Sequence, residues 1–259
     1  MGTAWEPSAM EPKPRIALLI DADNAQAARI DLVLNELSSY GESNIRRAYG
    51  DWTVSNLKGW SDILHEKAIR PIHQPAYTKG KNASDIALAV DAIDLWHTDK
   101  PEAFALVSSD ADFTPLVTIL RQRGAAVYGF GETKTPSAFA TACSKFLYVD
   151  QLVAEGDSGE GTQNPAVVRL QVPTTKLKQD TTLVTLLRTA ISGTTDENGW
   201  ATIGWLGHRI SNQSSFDSRN YGYPSLSKLL KATDLFEFRD EGTSAVAVRD
   251  KRRAKQARP

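Results

Sequence analysis

Two short acidic triplets, Asp21-Ala-Asp23 and Asp110-Ala-Asp112, hold the side chains of this chain best suited to chemistry. Each follows an apolar run, Ile16-Ala-Leu-Leu-Ile20 before the first and Ala103-Phe-Ala-Leu-Val107 before the second. Carboxylates brought close together repel unless cations lie among them, and hard divalent cations prefer oxygen ligands. Four aspartates meeting at one edge therefore imply Mg²⁺ or Mn²⁺. Cations held this way neutralise phosphate oxygens, acidify a water and stabilise a leaving oxygen, the chemistry of phosphoryl transfer. The chain has no Gly-x-Ser-x-Gly elbow, no Walker loop and no Gly-x-Gly-x-x-Gly turn, and its four histidines, His65, His73, His97 and His208, lie too far apart for a zinc pattern.

A further carboxylate, Asp85, opens a helix expected over 83–97. At 100° per residue it shares a side with Leu88, Ala89, Ala92 and Trp96, with Asp91 and Asp94 roughly opposite. It reads as a third wall of the acidic site, or else as a first-turn acid that merely favours the helix dipole.

Positioning these acids requires buried strands, and continuous apolar runs are what strands covered on both faces look like. Open α/β sheets build their sites at the C-terminal ends of such strands. Helical spacing at Ile30, Val33, Leu34 and Leu37, a stop at Gly41, a strand over 45–52, a helix capped by Thr53 and a strand over 68–73 set a βαβα rhythm. After a loop over 74–82, the rhythm continues through the 83–97 helix, the 103–107 strand, a helix from Thr114-Pro115 to Arg123 closed by Gly124, and a strand over 125–130. A helix from Thr135-Pro136 to Lys145 and a strand over 146–149 complete it. The expectation is an α/β domain over 13–152, a parallel sheet sandwiched by helices.

Residues 153–176 read as a flexible linker rich in Gly, Glu, Thr, Gln and Pro. Stripes at Leu183, Leu186, Leu187 and Ile191, at Ile203, Leu206 and Ile210, and at Leu226, Leu229 and Leu230 give three helices. Alternation at Phe236–Arg239 and Ala245–Val248 adds a hairpin. This is the pattern of a small winged-helix domain over 177–250, followed by a basic tail over 251–259. Among 259 residues of net charge −1, the part from Lys176 onward carries 14 Lys+Arg against 9 Asp+Glu, giving +5 and leaving −6 on the rest. Such a split suits one part that holds metal and one that touches a polyanion. The single Cys143 excludes an internal disulfide framework and reads as a packing residue, and the short apolar runs argue against membrane spans and for a cytoplasmic protein.

Three segments, Ile20-Asp-Ala-Asp-Asn24, Asp85-Ile-Ala-Leu-Ala-Val-Asp91 and Ser108-Ser-Asp-Ala-Asp-Phe113, resemble in order the signatures of NYN domains, the LabA-like branch of the PIN-like nucleases. The resemblance implies a PIN-like sheet and a Mg²⁺- or Mn²⁺-dependent ribonuclease whose acids are Asp21, Asp85, Asp110 and Asp112, with Asn24 matching the family's amide. The segment Gly222 to Phe238 resembles the LOTUS, or OST-HTH, domain, which implies RNA as partner.

Around this core, Asp23, Asn24 and Asp112 could either serve the site or cap helices, and Ser109 could buttress its loop. Lys79 and Lys81 could hold phosphates or simply be solvated. Lys228 and Lys231 lie on the polar side of the third C-terminal helix, the natural phosphate contact of a helix-turn-helix relative, and Trp200, Trp205, Tyr221 and Tyr223 could stack on bases. Of these, Trp205, at helical spacing, reads rather as core. A haloacid-dehalogenase-like phosphatase would use Asp21 as nucleophile, but Asn24-Ala25 departs from the Thr or Val it expects and no downstream lysine can be placed. A non-catalytic RNA-binding adaptor is the remaining alternative, and the intact acids argue against it.

Overall fold

The computed structural model describes residues 13–75, 82–154, 167–169, 171–196, 198–213, 215–243 and 245–252. Its centre is β1 (Arg15–Asp21), buried from Ile16 onward and paired in parallel with β2 (Glu42–Gly50) and β4 (Ala103–Val107). With β3 (Arg70–His73), β5 (Ala126–Gly131) and β6 (Lys145–Tyr148) it forms a six-stranded parallel sheet in the order β3-β2-β1-β4-β5-β6.

Alternation along β1 serves two faces, because successive side chains of a strand point to opposite sides. Ile16, Leu18 and Ile20 pack with α1 (Ile30–Leu37) and α2 (Lys58–Glu66), while Ala17 and Leu19 pack with α3 (Ala83–Thr98), α4 (Thr114–Gln122) and α5 (Ser137–Ala142). The sheet is thus sandwiched as the sequence implies. Gly124 follows α4 at φ +90°, a left-handed backbone that glycine adopts without a Cβ penalty. The helix starts differ from expectation. Thr53, Thr114 and Thr135 donate their hydroxyls to the Asp51 carboxylate and to the Ala111 and Glu132 carbonyls instead of capping. Cys143 is buried, its thiol pushed up to about 12 by burial, as a packing residue should be.

The stretch expected as a plain linker contains most of β7 (Leu152–Ala154), paired antiparallel with β8 (Val167–Arg169), and the first half of α6 (Thr174–Gln179). Leu177 of α6 is fully buried in the C-terminal core, so one helix more than expected builds that domain. It continues through α7 (Thr181–Ser192), β9 (Ala201–Thr202), α8 (Ile203–Gln213), α9 (Leu226–Thr233), β10 (Phe236–Arg239) and β11 (Ala247–Asp250), the last two forming the wing. Lys251, expected in the basic tail, is anchored to Asp234 at 2.6 Å.

The two parts touch at the edge of the parallel sheet. Asn220 donates to the Phe146 carbonyl at 2.8 Å and accepts from the Tyr148 N–H at 3.3 Å, so a C-terminal loop covers open backbone of β6. Arg219 adds an ion pair with Glu36 and a bond to the Tyr40 hydroxyl. Among the described residues no helix is long and apolar enough to cross a membrane.

Candidate active site

Register sets the site. Ile20 of β1 stands opposite Val107 of β4, so the loops that leave the two strands emerge side by side. Connections run outward from this pair in opposite directions along the sheet, and such switch points are where open α/β sheets leave a crevice.

Asp21, the last residue of β1, is 1% exposed. Its Oδ2 accepts hydrogen bonds from the Ser108 hydroxyl at 2.7 Å and the Asn24 amide at 2.9 Å, and its Oδ1 accepts the Asn24 N–H at 3.3 Å. These donors are neutral. They orient the carboxylate but do not cancel its charge, and burial, the dominant influence, raises its pKa above the usual carboxylate value. The Ser108 oxygen also accepts the Asp110 N–H at 3.1 Å, tying the loop after β4 to the end of β1. Ser108 is 3% exposed, and the Cβ missing from Gly131 on β5 would lie 2.7 Å from its carbonyl, so the neighbouring strand must be glycine there.

Asp110 caps the short turn Ala111–Phe113 by accepting the Asp112 N–H at 2.8 Å. Asp112 accepts from Asn82 at 3.2 Å, which joins this loop to the start of α3. There Asp85 sits half-buried, its carboxyl pushed up to about 6, first by burial and then by Asp21, Asp110, Asp23 and Asp112. Five carboxylates from three elements therefore share one field. Among the described residues, no three His, Cys, Asp or Glu side chains stand close enough together to hold one ion as they are placed.

Several expected roles change. Asp23 and Asn24 cap nothing, because α1 is preceded by the turn Ala27–Arg29, which carries the helix start away from them. Asn24 instead braces Asp21, and Asp23 stays exposed on the loop. The capping acid after β4 is Asp110, not Asp112. Ser109 accepts the Glu132 N–H at 2.9 Å and links its loop to the end of β5. Lys79 and Lys81 lie outside the described residues. Ser108 escaped the sequence reading, although its place between a buried strand and Asp110 was a usable signal.

The Asp91 network was also missed. Asp91 does not face away from the sheet but pairs with Arg47 of β2 at 2.6 Å and accepts the Tyr49 hydroxyl, pinning α3 and hence Asp85 against β2.

In the C-terminal part the expected RNA contacts fare unevenly. The stacking role expected of Tyr223 does not survive its burial: the ring packs in the core and its hydroxyl donates to the Val172 carbonyl at 2.8 Å. Trp205, expected in the core, is 73% exposed, because Leu206 and Ile210 already fill the inner face of α8. Lys228 is exposed as expected, whereas Lys231 is paired with Glu241 of the wing turn.

Residues 15–150 match the family described as NYN domain, and residues 176–247 match the OST-HTH/LOTUS domain. The chain belongs to the NYN domain family. That family is part of the PIN-like nuclease superfamily, whose domains generally depend on divalent metals. The chain is similar to the uncharacterized protein MJ0482 of Methanocaldococcus jannaschii, at 32% identity over 121 residues, 45% of this chain. The chain spans about half the length of that relative, 47%. Among solved structures it is similar to a protein of unknown function, VPA0982, from Vibrio parahaemolyticus (19% identity, 55% of this chain, 97% of that one, TM-score 0.45). An uncharacterized protein from Nitrosomonas europaea also matches (26% identity, 37% and 89% covered, TM-score 0.24).

Proposed function

We propose that the chain is a divalent-metal-dependent ribonuclease that hydrolyses phosphodiester bonds at Asp21, Asp85, Asp110 and Asp112 with Mg²⁺ or Mn²⁺, and that it retains RNA through its OST-HTH/LOTUS part. One observation carries the reading: Asp85 feels the charges of four other aspartates while half-buried, and the deepest of the group, Asp21, is oriented by neutral donors alone. Buried carboxylates without a cationic partner are costly. The donor set is all hard oxygen, which fits Mg²⁺ or Mn²⁺ and not a softer metal.

A cation held there would neutralise a scissile phosphate, acidify an attacking water and stabilise the leaving oxygen. The chain's own residues prepare that role. Ser108 and Asn24 fix one oxygen of Asp21, Ser108 and the turn at Ala111 set the direction of Asp110, and the Arg47–Asp91–Tyr49 cluster holds α3 so that Asp85 faces the same space.

The test incubates the full chain with single-stranded RNA and, separately, with a small phosphomonoester, each with Mn²⁺, Mg²⁺ or EDTA. Metal-dependent RNA cleavage that EDTA stops is the expected result. Hydrolysis of the monoester without RNA cleavage would return the phosphatase reading, and folded protein that cuts nothing but binds RNA would return the adaptor.

A further inference from the structure

Trp205 on α8 is 73% exposed, and it is not an isolated surface ring. It lines an open groove of about 750 Å³, within the size range of ligand sites, between α8, the turn that follows α7 and the β10 strand of the wing. Trp200, His208, Arg209 and Arg239 share that wall. Two guanidiniums lie over the Trp200 ring, Arg239 at 4.8 Å and Arg249 at 4.6 Å. Stacked cations of this kind keep their charge and hold it beside a flat aromatic surface.

Charge decides what would lie there. Arg209 donates to the Gly193 carbonyl at 3.1 Å, a neutral partner, while Arg239 shares exposed contacts with Asp196 at 3.3 Å and Asp240 at 3.7 Å. Of the two lining arginines, Arg239 has acids beside it, whereas Arg209 meets no carboxylate among the described residues and leaves its charge to the groove. On the polar face of α9, where sequence placed the phosphate contacts, Lys231 is paired with Glu241, whereas the exposed ring of Trp205 lies on the groove.

We propose that this groove, and not the α9 face, is where the C-terminal domain binds single-stranded RNA. The Trp205 indole takes an unpaired base by stacking, and Arg239 and Arg209 meet the adjoining phosphates. Stacking suits unpaired bases of any sequence, so the groove selects strandedness, not sequence. The inference rests on the RNA-retention part of the proposed function.

Binding of a fluorescein-labelled oligouridylate to the full chain in EDTA, where cleavage is blocked, tests it, with circular dichroism confirming folding. Trp205→Ala should weaken affinity about tenfold, on the scale of one lost base–aromatic stack. Trp205→Phe should keep most of the affinity but lose part of the RNA-induced quenching of tryptophan fluorescence, which a merely structural role would not move. Arg239→Glu should weaken binding and flatten its salt dependence, while the double variant Lys228→Glu/Lys231→Glu should change it little. If Trp205→Ala and Arg239→Glu bind like the parent while the α9 variant fails, the groove is overturned and RNA retention stands. If the parent chain binds no RNA at low salt, retention itself falls, the groove falls with it, and the face is left to a protein partner.

Discussion

At the C-terminal ends of the central strands β1 and β4, acids crowd together with only neutral donors beside the deepest of them, whereas most charges of the C-terminal domain are matched. Lys231 meets Glu241, Arg249 meets Glu237, Arg188 meets Asp250, and Lys178 and Lys251 both meet Asp234. The contrast is one of cost. An exposed pair contributes little in either direction, while buried like charges must be supported by the rest of the fold. A fold carries such an expense where it has chemistry to do, and this is why the unmatched end of the sheet, not the more basic half, is the place to look for turnover.

The largest effect that would sharpen this comparison is expected from Asp21→Asn or Asp110→Asn. Each removes a charge needed to hold a cation, and a loss of several kcal/mol of transition-state stabilisation corresponds to a fall of about a thousandfold or more in cleavage rate. Asn keeps the volume, so the circular dichroism spectrum should not change. Parent-like rates at saturating Mn²⁺ would remove these residues from the site.

A stability effect of middle size is expected at Asp91, whose charge is matched although it lies in the acidic half. Asp91→Ala strands Arg47 and the buried Tyr49 hydroxyl. With both members of the ion pair about a fifth exposed, the cost should be about 2 kcal/mol, below that of a fully buried pair. It is read as a lower urea midpoint, and cleavage should fall with it as Asp85 loses its support. An unchanged midpoint would mean that α3 is held by its apolar face alone.

A smaller effect, opposite in sign, is expected at Asp85. Its folded pKa of about 6 lies above the ordinary value of 3.8, so the folded state binds the proton more tightly than the unfolded one. Its contribution to stability is therefore greatest below pH 4 and is lost as pH rises through about 6. In EDTA, Asp85→Asn should raise the melting temperature at pH 7 and leave it unchanged near pH 4. A lower melting temperature at pH 7 would favour the helix-dipole role. Metal affinity should fall in the same variant, seen by calorimetry with Mn²⁺.

The smallest effect belongs to the matched surface. Lys231→Ala should shift stability by no more than about 0.5 kcal/mol, since the Lys231–Glu241 pair is half exposed at both ends. A loss of 2 kcal/mol or more in a denaturation series would show that pairing in the C-terminal domain supports the fold after all.

Much of this was legible in the chain itself. Continuous apolar runs at Ile16–Ile20 and Ala103–Val107 can hardly be anything but strands covered on both faces, and an aspartate directly after such a run must sit at its C-terminal end. Helical stripes such as Leu183, Leu187 and Ile191 likewise announce which face is buried, because 3.6-residue periodicity is a local property. What the chain could not announce were contacts between residues far apart along it. Ser108, not Ser109, reaches Asp21 because β4 lies next to β1 in register, and Asp91 finds Arg47 because β2 runs beneath α3. Glu241 reaches Lys231 only once the wing folds back on α9, and Trp205 stays in the open only because Leu206 and Ile210 occupy the inner face of α8 first. Periodicity settles how each segment divides into inside and outside. Which charges meet, and which aromatic ring is left facing water, is settled only by the packing of those segments against one another.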